Sequence, residues 1–62
     1  MKIKIKEYRK KCGYTQSALA EKLGVTKQMV SKWERDAYTP NLSTLVRMRE
    51  IFKCSLDDLV SD

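Results

Sequence analysis

A row of polar side chains lies on one face of a predicted helix that begins after Thr26. Relative to the first of them, the others follow at one, four and five positions, so they share one helical surface. They are Lys27, Gln28, Ser31 and Lys32. Ammonium and carboxamide groups placed in this way donate hydrogen bonds to a polar or anionic surface. Val30 and Trp33 fall on the opposite side and are predicted to pack inward.

Two short helices joined by a tight turn are predicted to hold this polar face in place. Thr15 can cap the first of these two helices, which then carries an apolar stripe at helical spacing. Gly24 stands where a helix ends in the left-handed conformation, and Thr26 can cap the second helix. Ala20 is small enough for the two helices to cross closely.

The stretch from Thr15 to Glu34 resembles the helix-turn-helix of the lambda-repressor-like, Cro-type family of bacterial and phage regulators. Its matching residues are Gln16, Ala20, Gly24, Val30 and Glu34. Outside this stretch the matches are Arg9, Pro40, Leu45, Phe52, Leu56 and Leu59. Because the matches extend over nearly the whole chain, they are more specific than a helix–glycine–helix pattern alone.

The resemblance implies an all-α fold, a compact bundle of five helices that forms a single domain over residues 1–62. It implies that the helix from Thr26 to Arg35 reads the major groove of duplex DNA. The base-contacting positions would be Lys27, Gln28, Met29, Ser31 and Lys32. The phosphate-contacting positions would be Gln16, Ser17, Arg35, Tyr38 and Thr39. In the family, a salt bridge at the positions of Arg9 and Glu34 joins the first and third helices.

The chemistry of the base-contacting side chains narrows what each one can recognise. Gln28 can both donate to and accept from adenine, whereas Lys27 and Lys32 have only donors, which suit guanine O6 and N7. Either lysine can instead bind a phosphate. For Met29, contact with a thymine methyl and packing at the edge between the helices both stay open.

The implied function is sequence-specific transcription regulation, expected to be repression, by a homodimer that forms on a pseudo-palindromic DNA operator. The expected dimer contact runs from Lys53 to Val60. The alternative is a protein-binding module of the same fold, such as an antitoxin or adaptor, whose last two helices offer Met48, Leu59 and Val60 to a partner. Both an entire small regulator and one module of a longer protein fit a chain of 62 residues.

Charge and composition agree with a polyanionic partner. The net charge is +5, and residues 1–35 hold ten Lys or Arg against three Glu, which gives +7. Residues 36–62 hold three Lys or Arg against five Asp or Glu, which gives −2. A basic half that contains the helix-turn-helix suits nucleic acid. The N-terminal MKIKIK has no apolar run after it, so no signal peptide or membrane span is predicted and the cytoplasm is expected.

Neither an enzyme nor a metal or cofactor site is expected. The chain has no histidine and no glycine-rich phosphate loop, and Asp57 and Asp58 are adjacent on a helix and therefore diverge. A zinc site needs about four ligands, and no Cys/His cluster is present. Cys12 and Cys54 are predicted to be reduced thiols that act as small core residues, with a disulfide as the less favoured alternative.

The remaining elements follow from caps and apolar spacing. A first helix is predicted over Lys4–Lys11, and an extended lead-in is preferred to a strand before it, because no other segment has a strand pattern. Asp36 is expected to take a left-handed turn, while Asn41 and Ser55 are expected to cap the last two helices. The predicted core is Ile5, Tyr8, Leu19, Ala20, Leu23, Val25, Val30, Trp33, Leu42, Leu45, Phe52, Leu56 and Leu59.

Overall fold

Local side-chain caps start four of the helices. A computed structural model describes residues 2–61, and it contains two short strands, β1 and β2, besides the helices. The helices are α1 (Ile5–Lys11), α2 (Gln16–Leu23), α3 (Lys27–Glu34), α4 (Leu42–Phe52) and α5 (Leu56–Leu59). Thr15, Thr26, Asn41 and Ser55 each accept a hydrogen bond from the backbone N–H three residues later, at 2.8–3.2 Å. Each bond satisfies one of the donors that a helix start leaves free, so the predicted caps are confirmed.

Left-handed residues end α2 and α4 and turn the chain after α3. Gly24 has φ 73° and closes α2, as expected. Asp36 takes φ 59°, which confirms the left-handed turn predicted for it. Lys53 takes φ 56° at the end of α4. A residue with a Cβ is strained in this region, so the surrounding fold holds Lys53 in a backbone conformation that lysine disfavours.

The helices enclose one apolar core, as the all-α prediction required. Its fully buried side chains come from α1, α2, α3, α4 and α5, and they include Ile5, Leu19, Val30, Met48 and Leu59. Trp33 is 6% exposed, which confirms it as a core residue. Tyr8, Val25 and Leu56 are half-buried and pack against this core.

Three predictions about apolar side chains are wrong. Leu42 is 68% exposed, because the first turn of α4 lies beyond the region that the other helices cover. Cys12 is exposed rather than in the core, since it follows the last turn of α1, while Cys54 is half-buried. Met48 and Leu59 are each 0% exposed, so neither can be offered to a protein partner.

The preference for an unpaired lead-in before α1 is also wrong. β1 (Lys2–Ile3) pairs antiparallel with β2 (Val60–Ser61), with Ile3 opposite Val60. The backbone N–H of Lys4 extends this ladder by donating to the Leu59 carbonyl at 2.8 Å. The partner strand is two residues long and nearly sixty positions away, so the local sequence of neither segment predicts that they pair. Within the described residues, no helix has the length and apolar character needed to cross a membrane.

Candidate nucleic-acid interface

The outer face of α3 is held in position by its inner face. Val30 is 0% exposed and Trp33 6% exposed, and both belong to the core. Lys27 and Gln28 are exposed in the first turn, and Lys32 is half-buried further along. A rigid helix therefore presents two hydrogen-bonding side chains to solvent at its N-terminal end.

The turn between α2 and α3 fixes how the two helices meet. The N–H of Val25 donates to the Ala20 carbonyl at 3.0 Å, across the left-handed Gly24. Ala20 is 3% exposed, and its small side chain allows the helices to approach closely. Of all element pairs, α2 and α3 are the most extensively packed.

A buried cluster joins α1, α2 and α3 behind this face. Arg9 Nε donates to Glu34 Oε2 at 2.7 Å, and Arg9 Nη2 donates to Oε1 at 3.3 Å. The two side chains are 11% and 5% exposed. Arg9 Nη1 also donates to the Tyr14 carbonyl at 2.9 Å, and Gln16 Nε2 donates to Glu34 Oε1 at 3.1 Å. The cluster therefore fixes the start of α2 relative to the end of α3.

The N-terminus of α2 carries two of the predicted phosphate-contacting residues. Gln16 is half-buried and Ser17 is exposed, both in the first turn. Backbone N–H groups in a first helical turn have no helical acceptor and carry partial positive charge, which suits an anion. Only one N–H of the Gln16 amide is required for its bond to Glu34, so the other can still donate outward.

The loop after α3 carries the other three predicted phosphate-contacting residues. Arg35 and Thr39 are exposed, and Tyr38 is 57% exposed. Arg35 Nε donates to the Ser31 carbonyl at 3.4 Å, which lays the guanidinium along α3. The Lys32 ammonium lies 5.0 Å from the centroid of the Tyr38 ring.

A groove of about 500 Å³ separates α3 from this loop. Met29 and Trp33 line it from the helix, and Pro40 and Asn41 from the loop side. Met29 is half-buried and packs against the core, so packing accounts for its position. Sequence reasoning missed the groove because its walls come from segments with no shared pattern.

Arg47 is a residue whose role sequence reasoning also missed. Its Nη1 donates to the Leu23 carbonyl and its Nη2 to the Lys22 carbonyl, both at 3.2 Å. These carbonyls end α2 and have no helical donor, so Arg47 caps α2 from α4. Arg47 lies twenty-four positions after Leu23 in the sequence, and nothing in the sequence indicates that the two residues meet.

These features define a helix-turn-helix DNA-binding domain: a capped helix, a left-handed glycine, and a second helix with a packed inner face and a polar outer face. The chain belongs to the helix-turn-helix family, whose model matches residues 5–59. Within it, the fold is that of the lambda-repressor-like, Cro-type domains, which confirms the family and the fold class expected from the residues.

Relatives and solved structures agree with this membership. The chain is 39% identical over 57 residues to the HTH-type transcriptional regulator ImmR of Bacillus subtilis, covering 92% of this chain and 45% of ImmR. It superposes on the P22 c2 repressor in complex with a synthetic operator with a TM-score of 0.83 at 35% identity, covering 92% of this chain and 86% of that one. For SinR in complex with DNA the TM-score is 0.75 at 42% identity, covering 84% of each chain. The chain thus spans about half the length of ImmR.

Proposed function

We propose that this chain is a sequence-specific duplex-DNA-binding transcription regulator, acting as a repressor, that reads the major groove with α3. The observation that carries the proposal is the exposure of Lys27 and Gln28 on a helix whose Val30 and Trp33 are locked in the core. In helix-turn-helix proteins the N-terminal residues of the second helix contact base edges. The matching P22 c2 repressor structure is a complex with an operator, and the matching SinR structure is a complex with DNA.

Base reading is assigned to the start of α3. Gln28 forms two hydrogen bonds with an adenine, donating to N7 and accepting from the amino group, and Lys27 donates to guanine O6 or N7. Lys32 and Ser31 border these two residues further along the helix. Met29 packs at the edge of the same face, next to the groove.

Phosphate contacts are assigned to the first turn of α2 and to the loop after α3. Gln16 and Ser17 lie where the free N–H groups of α2 point outward, and Arg35, Tyr38 and Thr39 flank α3 on the other side. An excess of Lys and Arg over Glu in residues 1–35 adds long-range attraction to the duplex. These contacts position α3 and are the same for every sequence.

A homodimer on a pseudo-palindromic operator completes the proposal. Two-fold helix-turn-helix dimers place their reading helices about one helical turn apart, roughly 34–36 Å. Lys53–Val60 is the proposed contact; its Leu56 and Val60 are half-buried and its Leu59 is fully buried. Since little apolar surface is left after the core is formed, the dimer is expected to assemble on DNA rather than in solution.

Selection of bound duplexes from a random pool tests this function. The expected result is an enriched site with an inverted repeat, and affinity for it that falls steeply as salt rises. The Lys27→Ala/Gln28→Ala double variant serves as the matched control: both side chains are exposed, so it is expected to keep the fold and to lose enrichment. Absence of any enriched sequence would refute sequence-specific reading, and a binding partner whose affinity is insensitive to salt would favour a protein-binding module instead.

A further inference from the structure

Lys32 and Tyr38 form a pair that links α3 to the following loop. The Lys32 ammonium lies 5.0 Å from the centroid of the Tyr38 ring, within the range of a cation–π contact. Backbone bonds support the pair, since the N–H groups of Ala37 and Tyr38 donate to the Lys32 carbonyl at 2.9 and 3.5 Å. The left-handed Asp36 reverses the chain between the two residues. The loop is therefore folded back onto the same turn of α3 that carries Lys32.

The pair directs the Lys32 ammonium away from the base-reading end of α3. Lys27 and Gln28 lie in the first turn, whereas Tyr38 lies beyond the C-terminal end of the helix. The loop that holds Tyr38 also carries Arg35 and Thr39, and all three are exposed. If α3 docks with its N-terminal end against the bases, as in other helix-turn-helix proteins, a cation held at its C-terminal end faces the sugar–phosphate strand rather than a base edge.

We propose that Tyr38 is a positioning residue whose ring holds the Lys32 ammonium for a phosphate, so that Lys32 adds affinity and no base preference. This inference rests on the proposed function and refines it, because it separates Lys32 from the reading residues Lys27 and Gln28. It also changes the role of Tyr38, from a hydroxyl that contacts phosphate to a ring that acts through lysine. A lysine whose side chain moves freely in the unbound protein loses about 2- to 10-fold in affinity because binding immobilises it. The Tyr38 ring restricts the Lys32 side chain before DNA binds, so the wild type avoids this loss.

The chain supplies a matched control pair. The Lys11 ammonium lies 5.1 Å from the centroid of the Tyr8 ring, so it has the same kind of contact. Tyr8 stacks with Phe52 at a centroid distance of 6.0 Å, which places this pair beside the end of α4 and away from the outer face of α3. Lys11→Met therefore removes one charge and one cation–π contact without touching the interface.

The experiment compares Tyr38→Leu with Tyr38→Phe on the selected operator and on an unrelated duplex of equal length. Tyr38→Phe keeps the ring and is expected to bind about 2- to 10-fold more tightly than Tyr38→Leu on both duplexes. In a Lys32→Met background this difference is expected to vanish, since the ring then has no ammonium to hold. Lys32→Met is expected to lower the slope of log affinity against log salt by about 0.9 and to leave base preferences unchanged. The affinity of Lys11→Met is expected to fall less than that of Lys32→Met on both duplexes.

Nuclear magnetic resonance of the free protein tests the contact itself. The ε-methylene protons of Lys32 are expected to be shifted upfield by the ring in the wild type and in Tyr38→Phe, and to lose this shift in Tyr38→Leu. Equal affinities of Tyr38→Leu and Tyr38→Phe, or an effect of Tyr38→Leu that persists in Lys32→Met, would overturn the positioning role. So would a Lys32→Met protein with a relaxed base preference. A wild-type chain that binds no duplex would instead refute the proposed function.

Discussion

Gln16 donates a hydrogen bond from its side-chain amide to Glu34 Oε1 at 3.1 Å, and Arg9 donates two bonds to the same carboxylate. The first residue of α2 is thereby joined to the last residue of α3 through a group that is only 5% exposed. Gln16, which is proposed to contact a phosphate, and Arg9, which forms the ion pair, thus donate to the same carboxylate of Glu34. Changes to either are expected to have different consequences for binding and for stability.

Gln16→Ala is expected to weaken binding to all duplex sequences about equally. A hydrogen bond to a charged group contributes about 1.5–3 kcal/mol, so the loss is roughly ten- to a hundredfold. Because phosphates are identical at every base pair, the order of preferred sequences should not change. The measurement is affinity for a panel of single-base operator variants. A shift in preference at one base pair would show that Gln16 contacts a base.

Removal of one partner of the Arg9–Glu34 pair is expected to destabilise the fold more than removal of both. Glu34→Met leaves the Arg9 charge in a site where its side chain is 11% exposed, at a cost of about 3–5 kcal/mol. The Arg9→Met/Glu34→Met double variant leaves no unpaired charge, although the Tyr14 carbonyl loses its donor. Urea unfolding at low temperature measures four proteins: the wild type, Arg9→Met, Glu34→Met and the double variant. If the double variant were as unstable as the sum of the single variants, the two side chains would not be coupled.

Gln28→Ala is expected to relax the preference at one base pair in each half-site, by about 1–3 kcal/mol, and to leave the salt dependence nearly unchanged. Lys27→Ala is expected to relax one position and also to flatten the salt slope, because it removes a charge. Both variants are measured on the operator panel at several salt concentrations. A Gln28→Ala protein that keeps the wild-type preference at every position would remove Gln28 from the reading set.

Lys53→Gly is expected to stabilise the protein by about 0.5–1 kcal/mol, because the left-handed backbone at φ 56° strains any residue with a Cβ. This figure is what remains of about 1–2 kcal/mol of relieved strain after the larger conformational entropy of the unfolded glycine variant is subtracted. Asp36→Gly is the matched comparison at φ 59°, and its gain should be smaller because Asp tolerates this region better. Urea unfolding measures both. A destabilised Lys53→Gly protein would mean that the lysine side chain contributes more than its backbone strain removes.

Cys54 is expected to react with iodoacetamide more slowly than the exposed Cys12 at pH 8. Burial raises the pKa of the Cys54 thiol above its ordinary value of 9.0, and the Asp58 carboxylate raises it further. Since only the thiolate reacts, a raised pKa leaves a smaller reactive fraction at a given pH. The same shift lowers the stability of the fold as the pH rises from about 9 through the folded-state pKa, because the unfolded chain ionises its thiol more readily than the folded protein does. Mass spectrometry of partly labelled protein gives the two rates, and faster labelling of Cys54 would contradict its burial.

Much of the helical structure could be predicted from the sequence, because its determinants are local. Thr15, Thr26, Asn41 and Ser55 each cap a helix by bonding a backbone N–H only three residues away. Gly24 ends α2 through its own backbone freedom. The polar face of α3 follows from helical spacing alone, and the resemblance to the family depends on the same short-range pattern.

Long-range packing decided the rest. The pairing of Ile3 with Val60 depends on the fold bringing the two ends of the described chain together. Leu42 and Met48 both occur in an apolar stripe, yet one is 68% exposed and the other 0%, because burial depends on which neighbouring helix covers each turn of α4. The bond from Arg47 to the end of α2 and the contact of Lys32 with Tyr38 likewise require the assembled backbone. Sequence periodicity determines which face of a helix is apolar, whereas the arrangement of the other helices determines how much of that face is covered and which charged groups meet across it.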